Sequence, residues 1–105
     1  MATVAQLLAI LPHSKSQAIH ARDIARILNL PIGGNEVETR NLIRDAILQG
    51  NVILSTPKNG YWLSSNKQEI MRCIASLTNR ANEIADRSDA LRDAWNNANP
   101  QNLIP

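Results

Sequence analysis

The side chains best suited to catalysis or metal binding are few and widely separated in this sequence. His13 and His20 stand seven residues apart, and Cys73, the single cysteine, lies far along the chain. This spacing matches no strong zinc-binding pattern. Ser14 and Ser16 have no evident base and orienting acid to activate them. We therefore expect a protein that is not an enzyme and that carries no metal or other cofactor.

The adjacent glycines of the segment PIGGN, residues 31–35, raise the question of phosphate binding. A phosphate-binding P-loop needs a lysine at a fixed distance from its glycines, within a parallel β-sheet, and this segment has neither feature. The segment therefore predicts a chain break between helices and not a nucleotide site.

The composition limits the chain to one modest, aliphatic core. Its 105 residues are 44% hydrophobic but only 3% aromatic, which fits one small domain with an appendage and argues against a large cofactor pocket. A formal charge of +2 permits contact with nucleic acid. One cysteine cannot form an intramolecular disulfide, and no apolar run is long enough to span a membrane. We expect a cytoplasmic protein without a membrane partner.

Three segments carry apolar side chains at helical spacing, which predicts helices over residues 3–11, 21–30 and 35–49. Pro12 ends the first helix and Pro31 ends the second, because proline cannot continue a helix. Asn35 and Glu38, three positions apart, form a capping-box-like start for the third helix. Gly50 is its expected C-terminal glycine. The apolar faces of the three helices can share one core.

After Gly50 the sequence pattern changes from helical to extended. The segments NVILST and YWLS are short β-strand candidates, as is AIHA at residues 18–21, ahead of the second helix. Between the later two, Asn59-Gly60 is a pair favoured where a tight hairpin needs positive φ at both central residues. Tyr61 and Trp62 point to opposite faces of a strand. One ring should anchor the hairpin to the core, but the sequence does not tell which.

The order of helix, short strand, two helices and hairpin resembles that of winged helix-turn-helix domains. The stretch HARDIARILNLPIGGNEVETRNLIRDAILQGNVILSTPKNGYWL is similar to small phage and mobile-element proteins of that class, and the resemblance covers roughly residues 1–64. Its most specific part is RNLIRDAILQGNVILSTPKNGYWL, which keeps the family's spacing of helix, glycine, strand, turn and return strand. The resemblance implies a mainly α head with a small β-hairpin that binds duplex DNA and regulates transcription or replication.

In winged-helix proteins that bind duplex DNA, the third helix usually enters the major groove and the wing touches the backbone or the minor groove. By position, the resemblance assigns DNA contact to two elements and flanking phosphate contact to three further cations: Thr39, Arg40, Asn41 and Arg44 on the third helix, Lys58 and Asn59 at the wing tip, and Lys15, Arg22 and Arg26. Arginine can contact guanine bidentately, asparagine can contact adenine, and lysine neutralises phosphate. The alternative is an ordinary solvated helix face, because Glu36, Glu38 and Asp45 share this helix and the first two, in its first turn, would repel phosphates.

No glycine or proline occurs between residues 66 and 96, which predicts a helix about 45 Å long. Its core positions alternate in steps of four and three residues, which is a heptad seam: Ile70, Ile74, Leu77, Ala81, Ile84, Ser88, Leu91 and Trp95. The small Ala81 and Ser88 suit an antiparallel or intertwined pairing at least as well as a parallel zipper. We expect a homodimer. The alternatives are a helix that folds back on its own head and a different protein partner.

The charges differ between the parts of the chain. The sequence predicts a head at residues 1–64, a dimerisation helix at 65–97 and a flexible tail at 98–105. Acidic and basic residues cancel in the helix, so the whole +2 excess lies in the head. This division favours a head that meets a polyanion and a helix that meets protein. We predict a dimeric, non-enzymatic DNA-binding protein of a phage or mobile element; the alternative is a winged-helix adaptor that binds another protein.

Overall fold

The computed structural model describes residues 2–105 and confirms a mainly helical chain with one β-hairpin and a long C-terminal helix. Its elements are α1 Val4–Ile10, α2 Ala21–Ile27, α3 Val37–Leu48, β1 Ile53–Thr56, β2 Gly60–Leu63 and α4 Lys67–Ala98, with a short 3-10 turn at Lys15–Gln17. Contacts group the chain into a head unit that ends at Cys73 and a distal unit, Ile74–Pro105. The first turns of α4 therefore belong to the head unit, although the sequence placed the boundary at residue 64.

A capping box starts α1. The Thr3 hydroxyl accepts a hydrogen bond from the Gln6 backbone N–H at 3.2 Å, and the Gln6 side chain accepts one from the Thr3 N–H at 2.9 Å. Beyond the helix, the Pro12 carbonyl accepts a hydrogen bond from the Leu63 N–H at 2.8 Å. The end of α1 is therefore held to β2.

The start of α3 differs from the predicted capping box. The helix begins at Val37 after Glu36, and no side chain caps it. Asn35 has a φ of +63° and Glu36 one of +51°, both left-handed. A capping side chain needs an extended backbone at the N-cap to reach the first turn. The prediction of a box formed by Asn35 and Glu38 was therefore wrong.

The predicted glycine stop of α3 is confirmed. Gly50 has a φ of +99°, its N–H donates to the Ile47 carbonyl at 2.9 Å, and the Asn51 N–H donates to the Ala46 carbonyl at 3.1 Å. This pair of hydrogen bonds is a Schellman motif, which satisfies carbonyls that the helix end would otherwise expose. The chain then turns directly into β1.

The core of the head unit is aliphatic except for one ring. The buried apolar side chains come from α1 and the residue that follows it, from α2 and α3, and from both strands: Leu7, Leu11, Ala21, Ile24, Ala25, Ile43, Ala46, Ile53, Leu54 and Trp62. Tyr61 is only half-buried. It packs against the aliphatic cluster of the helices and Ile53, whereas the buried Trp62 lies with Leu54 on the other face of the hairpin and donates to Glu69.

The loop of the hairpin is longer than the predicted two-residue turn. Strands β1 and β2 pair antiparallel up to Thr56 and Gly60, which leaves residues 57–59 in the loop. Gly60 has a φ of +96°, whereas Asn59 is not among the residues with positive φ. The Asn59 N–H donates to the Thr56 hydroxyl at 3.0 Å, and that hydroxyl donates to the Asn59 side-chain oxygen at 2.9 Å. These bonds close a longer loop, so the prediction of positive φ at both Asn59 and Gly60 was wrong.

Ile19 adds a third extended segment beside the hairpin, as the sequence predicted. Its N–H donates to the Tyr61 carbonyl at 3.1 Å, and its carbonyl accepts from the Tyr61 N–H at 2.6 Å. A Cβ at Gly60 would overlap the Ile19 carbonyl and lie 2.8 Å from the His20 nitrogen. Glycine is therefore required at residue 60 both by its positive φ and by this close approach.

The C-terminal segment, in the distal unit, turns back on the end of α4. The Trp95 indole N–H donates to the Asn102 carbonyl at 2.7 Å. The Asn96 side chain accepts from the Ile104 N–H at 2.7 Å and donates to the Ile104 carbonyl at 3.0 Å. The segment that was predicted as a flexible tail thus makes specific hydrogen bonds to the last turns of the helix.

The role of Gly60 can be tested against Gly50, which has a similar φ but open space around its Cα. We expect Gly50→Ala to lower the free energy of unfolding by about 1–2 kcal/mol, the cost of a left-handed alanine. Gly60→Ala should lower it further, because the methyl group also pushes Ile19 away from β2. Urea denaturation followed by circular dichroism measures both values. Equal losses would show that the close approach to Ile19 contributes nothing.

Candidate nucleic-acid interface

The outward face of α3 carries two of the residues predicted to contact DNA. The buried side of the helix is formed by Thr39, Ile43 and Ala46, at spacings of four and three residues. Asn41 and Arg44 lie on the opposite side and are exposed. The structure therefore brings these two predicted residues together on one accessible helix face.

Thr39 does not belong to this face. Its side chain is fully buried, and its hydroxyl has no hydrogen-bond partner among residues 2–105. The prediction that Thr39 contacts DNA was wrong, because this residue occupies the core stripe of α3. The signal in the sequence was its spacing from Ile43 and Ala46, which places a small polar side chain in line with two apolar ones.

Arg40 joins three parts of the head unit. Its Nε donates to the Asn35 carbonyl at 2.6 Å, and its Nη1 donates to the Tyr61 hydroxyl at 3.2 Å. The side chain therefore links the loop before α3 to β2 across the start of the helix. Arg40 thereby holds the hairpin in place. The sequence did not predict that the Tyr61 hydroxyl accepts a hydrogen bond in this link.

The remaining predicted cations are exposed and lie on separate elements. Arg22 and Arg26 stand four residues apart on α2, Lys15 is in the 3-10 turn, and Lys58 is in the hairpin loop. The side chain of Asn59, by contrast, is half-buried and engaged with the Thr56 hydroxyl.

These cations have no carboxylate partner in the described part of the chain. Within residues 2–105, the one ion pair joins Arg92 to Asp89 at 3.3 Å. Phosphate groups could therefore bind Lys15, Arg22, Arg26, Arg44 or Lys58 without first breaking a salt bridge.

Acidic side chains line a cavity at the other edge of the α3 face. The cavity has a volume of about 330 Å³ and is lined by Ala2, Leu30, Glu38, Asn41, Leu42 and Asp45. Glu38 and Asp45 are seven residues apart and so lie on one stripe of the helix. This acidic stripe and Arg44 lie on opposite sides of Asn41. A polyanion is repelled at the cavity edge and attracted at the Arg44 edge.

Glu69 fixes the hairpin to the start of α4 within the head unit. Its Oε1 accepts from the Ser64 hydroxyl at 2.7 Å and from the Trp62 indole N–H at 3.3 Å. Its backbone N–H donates to the Asn66 side chain at 3.1 Å, which caps the helix. The Ser64 hydrogen bond, followed by that of Trp62, lowers the pKa of Glu69 because both stabilise the carboxylate.

A lowered pKa makes this anchor sensitive to acid. The carboxylate stabilises the fold fully above the ordinary glutamate pKa, and this stabilisation is lost as pH falls through the lowered value. We expect Ser64→Ala to raise the pKa of Glu69 in a carbon-detected NMR titration, whereas Ser65→Ala leaves it unchanged. A Glu69 pKa that does not respond to Ser64→Ala would show that the hydrogen bond does not hold the carboxylate.

The burial of Thr39 can be tested by replacing its hydroxyl with a methyl group. A buried hydroxyl without a partner is destabilising, so we expect Thr39→Val to raise the free energy of unfolding by about 1 kcal/mol. Thr39→Ser keeps the hydroxyl but removes the methyl group, and it should lower stability by leaving a cavity. Urea denaturation compares the three proteins. A less stable Thr39→Val protein would mean that the hydroxyl makes a hydrogen bond.

Two further structural findings bear on function. No helix within residues 2–105 is long and apolar enough to cross a membrane. The same residues contain no group of three or more histidine, cysteine, aspartate or glutamate side chains placed to hold a metal ion.

The chain was compared with known proteins at three levels. It matches no protein-family model, and it matches neither a curated protein nor a solved structure.

Proposed function

We propose that this protein binds duplex DNA as a non-enzymatic dimer with a winged-helix head and regulates transcription or replication of a phage or mobile element. The observation that carries the proposal is the distribution of charge across α3. Arg44 faces outward on the side toward Arg40, the acidic residues Glu38 and Asp45 are gathered at the opposite edge, and the exposed Asn41 lies between them. One edge of the helix is thus suited to phosphates and base edges.

The topology of the head supports the winged-helix assignment. A helix is followed by an extended residue, Ile19, then by two helices and a hairpin whose second strand pairs with Ile19. The Arg40–Tyr61 hydrogen bond ties this hairpin to the loop before α3. The third helix and the hairpin would therefore meet a duplex as one surface, with Lys58 at the loop available for a phosphate.

The exposed seam of α4 supports dimerisation. Its large side chains are 41–67% exposed in the distal unit: Ile74, Leu77, Ile84, Leu91 and Trp95. Complete burial of a large apolar side chain contributes about 1.5–3 kcal/mol, so ten half-exposed side chains from two helices contribute on the order of 10 kcal/mol. That is comparable with the cost of association, about 4–15 kcal/mol. We expect a dimer that dissociates on dilution.

The second candidate function is that of a protein-binding adaptor. Val37 is 57% exposed and Leu48 is 78% exposed, and both lie on the outward face of α3 with Asn41 and Arg44. A protein partner would bury these apolar side chains, whereas a DNA groove needs the polar ones. The two functions therefore depend on different residues of one face.

Fluorescence anisotropy of a labelled random-sequence duplex, titrated at about 50 and 200 mM salt, tests the DNA proposal. We expect saturable binding that weakens steeply at the higher salt. Arg44→Ala should weaken binding about five- to thirtyfold, equivalent to about 1–2 kcal/mol, and Leu48→Ala should leave it unchanged. Arg72→Ala removes the same charge from α4, opposite the seam, and is the matched control.

Three results would contradict the DNA proposal or its site. A folded protein that binds no duplex at either salt favours the adaptor. Equal weakening by Arg44→Ala and Arg72→Ala would show that only net charge matters, and not the α3 face. A larger loss with Leu48→Ala than with Arg44→Ala would place the apolar side chains at the centre of the interface.

A further inference from the structure

The seam of α4 has a pattern of side-chain sizes that depends on the direction in which it is followed. From its start, the first three core positions are large, Ala81 is small, and beyond the midpoint Ser88 is the other small residue. The midpoint lies between Asn82 and Glu83, so the two small residues fall on opposite halves of the seam but at unequal distances from its centre. When a second copy of the helix runs in the reverse direction, the small residues of one copy therefore do not face the small residues of the other.

We propose that α4 pairs with α4 of a second copy in antiparallel orientation, in the one register that matches all eight core positions. This inference rests on the dimer of the proposed function and adds its orientation and register. Each chain then contributes one residue to every layer. The layers are Ile70 with the partner's Trp95, Ile74 with the partner's Leu91, Leu77 with the partner's Ser88, and Ala81 with the partner's Ile84.

Packing favours this register because each small residue faces a large one. Ala81 lies against the partner's Ile84, and Ser88 lies against the partner's Leu77, so the layers near the centre fill evenly. In a parallel pair, each core residue meets its own copy. Ala81 would then face alanine, Ser88 would face serine, and each such layer would leave a void between larger neighbours.

The outermost layer can also become buried. Trp95 already donates its indole N–H to the Asn102 carbonyl, at 2.7 Å. A buried tryptophan needs such a partner for its one polar group. Because this partner lies in the same chain, the ring of Trp95 can pack on Ile70 of the partner without leaving an unsatisfied donor.

The flanking charges do not choose between the two orientations. Arginines occupy positions beside the core at Arg80, Arg87 and Arg92. The antiparallel register brings Arg80 near the partner's Arg87, and the parallel one brings Arg87 near the partner's Arg92. Each orientation thus contains two arginine pairs related by the two-fold axis. The sizes of the core side chains, and not the flanking charges, therefore favour the antiparallel orientation.

The area of the seam is sufficient for a second copy. From Ile70 to Trp95 it is about 38 Å long, and a third of the circumference of a helix about 12 Å across adds a width of about 13 Å. The strip covers about 500 Å² on each helix and about 1,000 Å² in the pair, close to the lower limit for a specific interface. A two-fold dimer uses this one strip on both chains, whereas a different partner would need its own matching pattern.

Distances between spin labels distinguish the orientations. In a Cys73→Ser background, nitroxides are placed one at a time at Asn82, Ala90 and Asn97, which are exposed and lie off the seam. In the antiparallel dimer, the axial separation grows by about 3 Å for each residue from the midpoint, giving about 2, 22 and 44 Å. Labels at Asn82 are close together in either orientation and report dimerisation itself.

We expect double electron–electron resonance to show the three distances increasing in this order. A constant short distance at all three sites would overturn the antiparallel orientation and establish a parallel dimer. Absence of coupling at Asn82 in the concentrated protein would overturn pairing through the seam altogether. The variant with Leu77→Asp and Ile84→Asp should lose the Asn82 coupling, and retained coupling would place the interface elsewhere.

DNA binding is measured on the same labelled proteins by fluorescence anisotropy. Increasing distances without DNA binding would support the antiparallel dimer and contradict the DNA proposal. DNA binding together with a constant short distance would support the DNA proposal and contradict the antiparallel dimer. The two failures are therefore separate observations.

Discussion

The docking of β2 on the helices is the constraint on which the head depends. A two-stranded hairpin is marginal by itself in water, and here every residue of its second strand supports the contact with other elements. Gly60 admits the Ile19 backbone, and Tyr61 pairs with that backbone and with Arg40. Trp62 is buried and donates to Glu69, and Leu63 donates to the Pro12 carbonyl.

The two aromatic residues of β2 contact different elements, because their side chains point to opposite faces of the strand. Trp62 is buried on the face that it shares with Leu54 and donates to the Glu69 carboxylate, so it fixes the strand to the start of α4. Tyr61 points the other way, packs against the aliphatic core cluster and accepts a hydrogen bond from Arg40, so it fixes the strand to the core and to the loop before α3. In a core without phenylalanine, these rings supply contact area that aliphatic side chains of similar length do not.

The elements of this fold were largely predictable from local chemistry, whereas several side-chain positions were not. Pro12, Gly50 and the extended segment at Ile19 follow from backbone rules that act within a few residues. The failures arose where tertiary contacts override such rules. Asn35 carries a capping side chain, but its carbonyl is taken by Arg40 and its backbone is left-handed.

Thr39 shows the same limit at the candidate site. Its residue type is common at DNA interfaces, and its place in the third helix matched a contact position by resemblance. The structure shows otherwise, because α3 is rotated about its own axis so that Thr39 packs inward, while the apolar Val37 is exposed. A helix with few strongly apolar residues has a weakly defined core face, so its rotation is set by the partners it packs on. Asn41 and Arg44 are exposed in consequence.

The modest positive charge of the head is a physical reason for it to bind DNA as the proposed dimer. Residues 1–64 carry six basic side chains against four acidic ones, which would allow one head only a few phosphate contacts, each of them weaker at higher salt. Joining two heads turns the second binding event into an intramolecular one, which raises affinity without any new contact. Because the seam is near the lower limit of a stable interface, dimerisation and DNA occupancy would rise together with protein concentration. In the proposed dimer, weakly binding heads joined by a dissociable helix pair would thus make DNA binding depend more steeply on protein concentration than one head would alone.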